Sequence, residues 1–209
     1  MIHQKQWGKI DMEVIRAFIA VNLSPDVLDK IEQVALDLQK RMNTVPIRWV
    51  PTDNIHLTLK FLGNVSTANL EILKDILGKV VANHHECDIS IGGIGVFPKP
   101  HNPRVIWVGM KVPQELVNLQ QEIEIETARL GYSREYRPFS PHLTFGRVSR
   151  NASAIDVQII AENLENYKVG FLGATKLRTV YLFRSDLKPE GAEYTPIYSA
   201  ALNEGDAIN

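Results

Sequence analysis

His56-Leu57-Thr58-Leu59, in the first half of the chain, recurs in the second half as His142-Leu143-Thr144-Phe145. Each copy follows a turn-forming segment, begins a run typical of a β-strand, and is followed by a segment with helical spacing. The two halves therefore indicate a degenerate duplication, with one His-x-Thr strand in each half.

Strand geometry explains the form of this repeat. Side chains two residues apart in a β-strand point to the same face. The histidine and threonine of each copy therefore share one face, and the two apolar residues share the other. Two such strands, related by a pseudo-twofold axis, would direct two imidazoles and two hydroxyls into one cleft.

Two facing histidines suit the hydrolysis of a cyclic phosphodiester, which needs a base for water and an acid for the leaving oxygen. Histidine, with an unperturbed pKa of about 6.5, can perform either task near neutral pH. The threonine hydroxyls can donate hydrogen bonds to phosphate oxygens. One His-x-Thr alone would carry little weight, but packing explains two equivalent copies poorly because a buried histidine needs a partner. His56 and His142 are the candidate catalytic residues, and Thr58 and Thr144 are candidate phosphate ligands.

The composition is that of an ordinary globular protein. The chain has 209 residues, of which 44% are hydrophobic and 22% charged, and a formal net charge of −1. Proteins that hold long nucleic acids through many phosphate contacts are usually basic. Near-neutrality therefore favours a small footprint, such as one or two nucleotides at a chain end.

The cysteine content and the N-terminal segment bear on the compartment. Cys87 is the only cysteine in the sequence, so an intramolecular disulfide is excluded, and no Cys/His spacing resembles a zinc site. Residues 1–12 lack the apolar run of a signal peptide, and no segment approaches the roughly 20 apolar residues of a spanning helix. We therefore expect a cytoplasmic protein without membrane contact, with a flexible leader at 1–12, a single bilobal domain at 13–202 and a tail at 203–209.

The remaining patterns predict strands and helices in mixed order. Strands are expected over 14–22, 47–51, 55–62, 87–97, 104–110, 142–148, 177–187 and 193–201, and helices over 25–42, 67–80, 113–130 and 151–165. Hairpin turns are predicted at 98–103 and 188–191. This order lacks the strict β-α-β alternation of a parallel sheet. We expect an α+β fold with two pseudo-symmetric lobes, mainly antiparallel sheets flanked by helices, and an active-site cleft between the lobes.

The chain resembles the two-histidine phosphoesterase superfamily, and within it the RNA 2′,3′-cyclic phosphodiesterases, also called 2′-5′ RNA ligases, over about residues 15–200. Both His-x-Thr segments are intact and in order. The segments that carry the resemblance are Arg16–Ala20, Arg48–Pro51, Asn54–Gly63, Gly95–Pro98, Pro103–Gly109, Phe139–Val148 and Leu182–Ser185.

The resemblance implies opening of an RNA 2′,3′-cyclic phosphate to a 2′-phosphate, with no metal and no cofactor. It implies that His56 is the proton donor to the leaving 3′ oxygen and that His142 is the proton acceptor that activates water, whereas spacing alone does not order the two roles. It implies that Thr58 and Thr144 bind the phosphate. The implied partners are RNA ends or nucleotides with a 2′,3′-cyclic phosphate, including tRNA fragments, with reverse 2′-5′ ligation as a further activity. We expect a monomer, because one chain completes the cleft.

Three other residues have competing interpretations. Arg16 is the only charged residue of the first predicted strand, and it either holds phosphate in the cleft or forms a surface salt bridge. Phe18 shares a face with Arg16 and either stacks on a base or, as the favoured interpretation, belongs to the core. Arg147 has an odd offset from His142, which in a regular strand places it on the opposite face and argues against a catalytic role.

The run His84-His85-Glu86-Cys87 superficially resembles a metal site. Adjacent histidines point in different directions and the sequence shows no partner cluster. We therefore interpret this run as a solvated loop.

Two alternatives to the RNA phosphodiesterase stay open at this point. One is a non-catalytic nucleotide- or RNA-binding module that keeps the same cleft. The other is an enzyme with a different substrate, such as RNA 3′ tails or a small cyclic-phosphate metabolite. Turnover of a 2′,3′-cyclic mononucleotide separates the first alternative from an enzyme.

Overall fold

The computed structural model of the chain describes residues 13–189 and 191–205, and within them lie nine strands and four α-helices. The strands are β1 (Val14–Val21), β2 (Ile47–Trp49), β3 (Leu57–Ser66), β4 (Cys87–Lys99), β5 (Asn102–Lys111), β6 (His142–Val148), β7 (Phe171–Leu177), β8 (Thr179–Lys188) and β9 (Gly191–Ala201). The helices are α1 (Pro25–Arg41), α2 (Leu70–Val81), α3 (Gln114–Arg129) and α4 (Ala154–Asn166).

These strands form two antiparallel sheets. The first sheet has the order β3-β1-β8-β9, and the second has the order β2-β6-β5-β4-β7. Helices α2 and α3 pack against the first sheet, while α1 and α4 pack against the second. The predicted α+β class with largely antiparallel sheets is confirmed.

Periodic burial explains why these segments form strands and helices. In β1, Ile15, Ala17 and Ile19 are buried beneath the helices, as expected for alternate residues of a strand that is covered on that face. In α1, the buried positions recur every three to four residues. They are Val27, Ile31, Ala35 and Leu38.

The two halves of the chain do not each form a separate lobe, because each half contributes a helix that packs on the sheet containing the other half's His-x-Thr strand. Helix α1, from the first half, packs against β6 and β7 of the second sheet. Helix α3, from the second half, packs against β3 of the first sheet. The first His-x-Thr strand, β3, nevertheless lies in one sheet and the second, β6, in the other, and Cα atoms of these two strands approach within 8 Å.

Strand β7 was not anticipated from the sequence. It is an edge strand paired only with β4 in its sheet, and Phe171 at its start is exposed. Gly173 and alternating exposed residues leave little apolar signal, so only the pairing with β4 reveals the strand. Ser24 immediately precedes α1, but its hydroxyl bonds to the hydroxyl of Thr175 in β7 instead of capping the helix.

The predicted leader at 1–12 lies outside the described residues, as do residues 206–209 of the predicted tail. Asn203, where that tail was placed, donates its backbone N–H to His84 O and its side-chain amide to Ala82 O. Within the described part of the chain, no helix is both long and apolar enough to cross a membrane.

Candidate active site

His56 immediately precedes β3 and lies against a cluster of aromatic rings on the face of the first sheet opposite its helices. Its imidazole stacks on Phe18 with ring centroids 4.7 Å apart, meets the ring of Tyr194 edge-on at 5.2 Å, and lies 6.3 Å from Phe183. Phe18 is only 3% exposed. It is therefore buried, as the favoured interpretation held, but its neighbours are the rings around His56 rather than the main core.

This environment changes the acidity of His56. The pKa of its imidazole is lowered to about 4, mainly by burial and in smaller part by the positive charge of Arg147, whereas the hydrogen bond to Asn54 O acts in the opposite direction. His56 is therefore neutral in the free protein at neutral pH.

His142 begins β6 and occupies the matching position in the second sheet. Its ring meets Phe97 edge-on at 4.9 Å and lies 6.4 Å from the centroid of Trp107. Trp107 is the cross-strand partner of Thr144, so both side chains lie on the same face as His142.

The two histidines are oriented in the same way. His56 Nδ1 is 2.9 Å from Asn54 O, and His142 Nδ1 is 2.8 Å from Ser140 O. A carbonyl oxygen can only accept, so each Nδ1 carries the donating hydrogen. In the neutral ring, each Nε2 is then the basic nitrogen and is available to a substrate.

The threonines lie where the repeat predicts. Thr58 is paired with Ala20 across β1 and is half-buried, whereas Leu57 and Leu59 are buried on the opposite face. In the part of the chain that the structure describes, the hydroxyls of Thr58 and Thr144 have no hydrogen-bond partner. Both are therefore available to a ligand.

A β-bulge at Leu59 interrupts the alternation of β3. Ile19 and Ala20 are adjacent in β1, but their partners Lys60 and Thr58 are separated by Leu59. One extra residue reverses the phase of the strand. Lys60 therefore turns to the helix side, where it is buried.

The same bulge brings Phe61 to the face of His56. An unbroken alternation would have buried Phe61, yet its side chain is 72% exposed and its ring lies 6.2 Å from that of Phe18. Lys60 donates instead to the carboxylate of Glu124 on α3 and to Ser133 O. Phe61 is thus an exposed aromatic surface beside the first histidine.

An equivalent bulge at Phe145 occurs in β6. Ile106 and Trp107 are adjacent in β5, but their partners Gly146 and Thr144 are separated by Phe145. The pseudo-symmetry of the repeat therefore extends to the irregularity that follows each His-x-Thr.

Arg147 consequently shares a face with Thr144 and His142. The expectation that its odd offset turns it away is wrong, because that expectation assumed a regular strand. Within the described residues, no carboxylate lies within 4 Å of its guanidinium. Arg48, its cross-strand neighbour in β2, lies on the same face and is likewise unpaired in that part of the chain.

Trp107 packs tightly behind His142. A Cβ atom at Gly95 would lie 2.2 Å from two carbons of the Trp107 ring, so only glycine leaves room for this ring position. The indole nitrogen of Trp107 is buried and has no hydrogen-bond partner among the described residues. Trp107 therefore lies on the same face as His142 and Thr144, within the candidate site.

Phe183 and Tyr194 lie outside the repeat, so the His-x-Thr pattern does not predict their contact with His56, although Phe183 belongs to the segment Leu182–Ser185 that carries the family resemblance. Asn54 Nδ2 donates to Ala192 O in β9 and thereby fastens the turn before His56 to the strand that carries Tyr194. The pairing of β8 with β1, and of β9 with β8, brings those rings to the first histidine.

The run at 84–87 has other partners. His84 Nε2 is 2.8 Å from Glu122 Oε2, His85 lies near Glu204 O, and Glu86 is the counterion of Lys176 and Arg178. Among the described residues, no group of three or more His, Cys, Asp or Glu side chains is placed to hold a metal ion.

Comparison with known proteins gives one consistent result. The profile of the family described as LigT-like phosphoesterase matches twice, over residues 21–107 and 108–194. The RNA 2′,3′-cyclic phosphodiesterase of Methanothermobacter thermautotrophicus is 34% identical over 87% of this chain and 95% of its own. The protein of the same name from Archaeoglobus fulgidus is 31% identical over 88% of this chain and 96% of its own. The crystal structure of E. coli LigT complexed with 3′-AMP superposes with a TM-score of 0.74 at 26% identity, covering 92% of this chain and all of that one.

Proposed function

The chain belongs to the LigT-like phosphoesterase family, and on this basis we propose that it hydrolyses the 2′,3′-cyclic phosphate at an RNA end to a 2′-phosphate. Curated relatives across most of its length carry the name RNA 2′,3′-cyclic phosphodiesterase. E. coli LigT binds 3′-AMP, a ribonucleotide whose phosphate is attached to the 3′ oxygen of the ribose.

The observation that carries this proposal is the matched pair of histidines on two neighbouring strands of different sheets. In each, Nδ1 is hydrogen-bonded to a backbone carbonyl oxygen, which leaves Nε2 for a substrate, and each is followed two residues later by a threonine. The charge of Arg147 on one sheet reaches His56 on the other, which supports a single site for a phosphate.

In the proposed reaction His142 Nε2 accepts a proton from a water molecule as the water oxygen bonds to phosphorus. The bond from phosphorus to the 3′ oxygen breaks, and protonated His56 donates its Nε2 hydrogen to that oxygen. Thr58, Thr144 and Arg147 interact with the non-bridging oxygens, which carry the negative charge. Each proton transfer is expected to contribute about 10²–10⁴-fold.

Proton donation requires the charged form of His56, which the free protein disfavours. A bound phosphate offsets the charge of Arg147 and adds a nearby negative charge, so it raises the pKa of His56. The substrate itself therefore promotes protonation of the donor. The acid and base roles follow the family pattern, and the symmetric hydrogen bonding of the two rings is compatible with either order.

The direct test is incubation with adenosine 2′,3′-cyclic phosphate in the presence of EDTA, with the product resolved as adenosine 2′- or 3′-phosphate. We expect the 2′-phosphate. Binding without turnover would instead favour a non-catalytic nucleotide-binding module. Conversion of a small cyclic-phosphate metabolite with no conversion of RNA ends would favour the other alternative.

The finer expectations belong to the same proposal. The protein acts as a monomer in the cytoplasm, on RNA ends such as those of tRNA fragments. The contribution of both motif strands by one chain supports the monomer. Reverse 2′-5′ ligation is tested by supplying a 5′-hydroxyl RNA with the cyclic-phosphate RNA and looking for a joined product.

A further inference from the structure

The face of the first sheet that carries His56 continues beyond the aromatic rings. Cross-strand partners of β1 and β3 lie side by side on this face at increasing distance from Thr58. The pairs are Phe18 with Phe61, Arg16 with Asn64, and Val14 with Ser66. At about 3.3 Å per residue, Phe18 lies about 7 Å and Arg16 about 13 Å along β1 from Ala20, the partner of Thr58.

Arg16 is an exposed cation without a counterion in the part of the chain that the structure describes. The salt bridge considered from the sequence is therefore not formed there. Arg184, on the neighbouring strand β8, shows the contrast, since it pairs with Asp186 and approaches Glu13. The charge of Arg16 is thus available to an anion on this face.

An open cavity of about 540 Å³ lies at the edge of β3, and Asn64, the cross-strand partner of Arg16, is part of its lining. Its lining combines the far ends of β1 and β3 with the segment after α3. The lining residues are Val14, Leu62, Asn64, Ser66, Asn69, Leu130, Gly131, Tyr132 and Ser133. The hydroxyl of Tyr132 is buried and has no hydrogen-bond partner among the described residues.

We propose that Arg16, Asn64 and this cavity, together called the upstream surface, bind the 5′ phosphodiester of the terminal nucleotide and the nucleotide before it. The inference rests on the proposed function. With the cyclic phosphate at Thr58 and the base against Phe61, Arg16 is the next cation along β1 and β3 on this face. A cationic residue followed by a cavity of mixed polar and apolar lining, beside an aromatic surface, is suited to a single RNA strand.

The test compares three substrates with wild-type protein. They are adenosine 2′,3′-cyclic phosphate, the same compound with a 5′-phosphate, and a dinucleotide that ends in a 2′,3′-cyclic phosphate. We expect the 5′-phosphate to raise kcat/KM about five- to tenfold, and the dinucleotide to be at least as good a substrate.

Variants test whether the increase in kcat/KM caused by the 5′-phosphate comes from the upstream surface. Arg16→Gln should remove most of the gain while changing turnover of the compound without a 5′-phosphate less than about twofold, and Arg16→Lys should retain part of it. Asn64→Asp should also reduce the gain, because it adds a negative charge beside Arg16. The dependence of log kcat/KM on log salt for the dinucleotide should weaken by about 0.7 in Arg16→Gln. Arg41→Gln, on the outer helix α1, is the matched control and should change nothing.

Two results would overturn the proposal: no effect of the 5′-phosphate in wild-type protein, or an equal loss on all three substrates in Arg16→Gln. Failure of the proposed function gives a different pattern, in which wild-type protein converts none of the substrates. In that case, calorimetric titration measures the affinities of adenosine 2′-phosphate and of a dinucleotide that ends in a 2′-phosphate, and their comparison tests the upstream surface. Tighter binding of the dinucleotide that depends on Arg16 supports the upstream surface, and equal binding refutes it.

Discussion

Arg147 and His56 lie on different sheets, yet the guanidinium of one influences the imidazole of the other. The pKa of His56 falls to about 4 mainly because of burial, and the charge of Arg147 is a smaller contribution to that decrease. This relationship supports the proposal that the two halves of the duplicated chain contribute to a single site. It depends on the bulge at Phe145, without which Arg147 would face away from the cleft.

Removal of the charge at position 147 should make His56 easier to protonate. In Arg147→Gln the pKa of His56 should rise from about 4, yet stay below 6.5 because burial persists. An NMR titration of the histidine ring protons measures this directly. Arg48→Gln, the cross-strand neighbour, should have a smaller effect, and an unchanged pKa in Arg147→Gln would disprove the coupling between the sheets.

The depressed pKa of His56 also predicts how stability depends on pH. Above pH 6.5 the imidazole is neutral in both the folded and the unfolded chain, so its contribution to the stability of the folded state is fully present. As the pH falls from 6.5 towards 4, only the unfolded chain binds the proton, and the folded state loses stability. Between pH 7.5 and 4.5 this group should lower the free energy of unfolding by about 2–3 kcal/mol.

Urea denaturation of wild-type protein and of His56→Asn at both pH values isolates that contribution. Asparagine can keep a donor towards Asn54 O but does not titrate. The drop in the free energy of unfolding should therefore be smaller in the variant. Equal drops in the two proteins would contradict the prediction.

Each proposed catalytic histidine should be essential. His56→Ala and His142→Ala should each lower kcat for a 2′,3′-cyclic mononucleotide by at least about 10²-fold, because each removes one proton transfer. Circular dichroism should show an intact fold. His101→Ala, in the exposed turn between β4 and β5, is the control and should retain activity. Full activity in either of the first two variants would refute the mechanism.

Gly95 should be required for the position of Trp107 behind His142. In Gly95→Ala the new Cβ would lie 2.2 Å from the indole, so the ring must move. Small displacements near reacting groups are costly, and we expect kcat to fall about 10- to 100-fold. Gly170→Ala, where a Cβ atom has no neighbour within 4 Å, should leave kcat unchanged. A Gly95→Ala variant with normal kcat would show that the indole does not position His142.

The buried ion pair of Lys60 and Glu124 should stabilise the bulged strand. Lys60→Met leaves the Glu124 carboxylate buried without its cation, and we expect the free energy of unfolding to fall by about 3–5 kcal/mol. Lys79→Met removes an exposed pair with Asp75 and should lower it by less than about 1 kcal/mol. Chemical denaturation compares the two variants, and similar small losses would argue against an important buried pair.

The sequence alone was sufficient for the features that depend on local periodicity. The repeated His-x-Thr, with Leu57 and Leu59 on the reverse face, predicted two strands and the face of each histidine. Hairpin turns, helix positions and the α+β class also followed, because residues a few positions apart determine the burial pattern of a helix or strand. The strand β7 was missed because its exposed residues and Gly173 leave no such pattern.

The tertiary structure decided everything that depends on pairing between distant segments. The faces of Phe61 and Arg147 follow from bulges that exist only relative to β1 and β5, and one inserted residue reverses the alternation of the side chains up to any next bulge. The contacts of His56 with Phe183 and Tyr194, and the burial that lowers its pKa, likewise require strands far apart in the chain to adjoin. No local pattern encodes these relationships, because they are fixed by the register between strands rather than by the spacing along one.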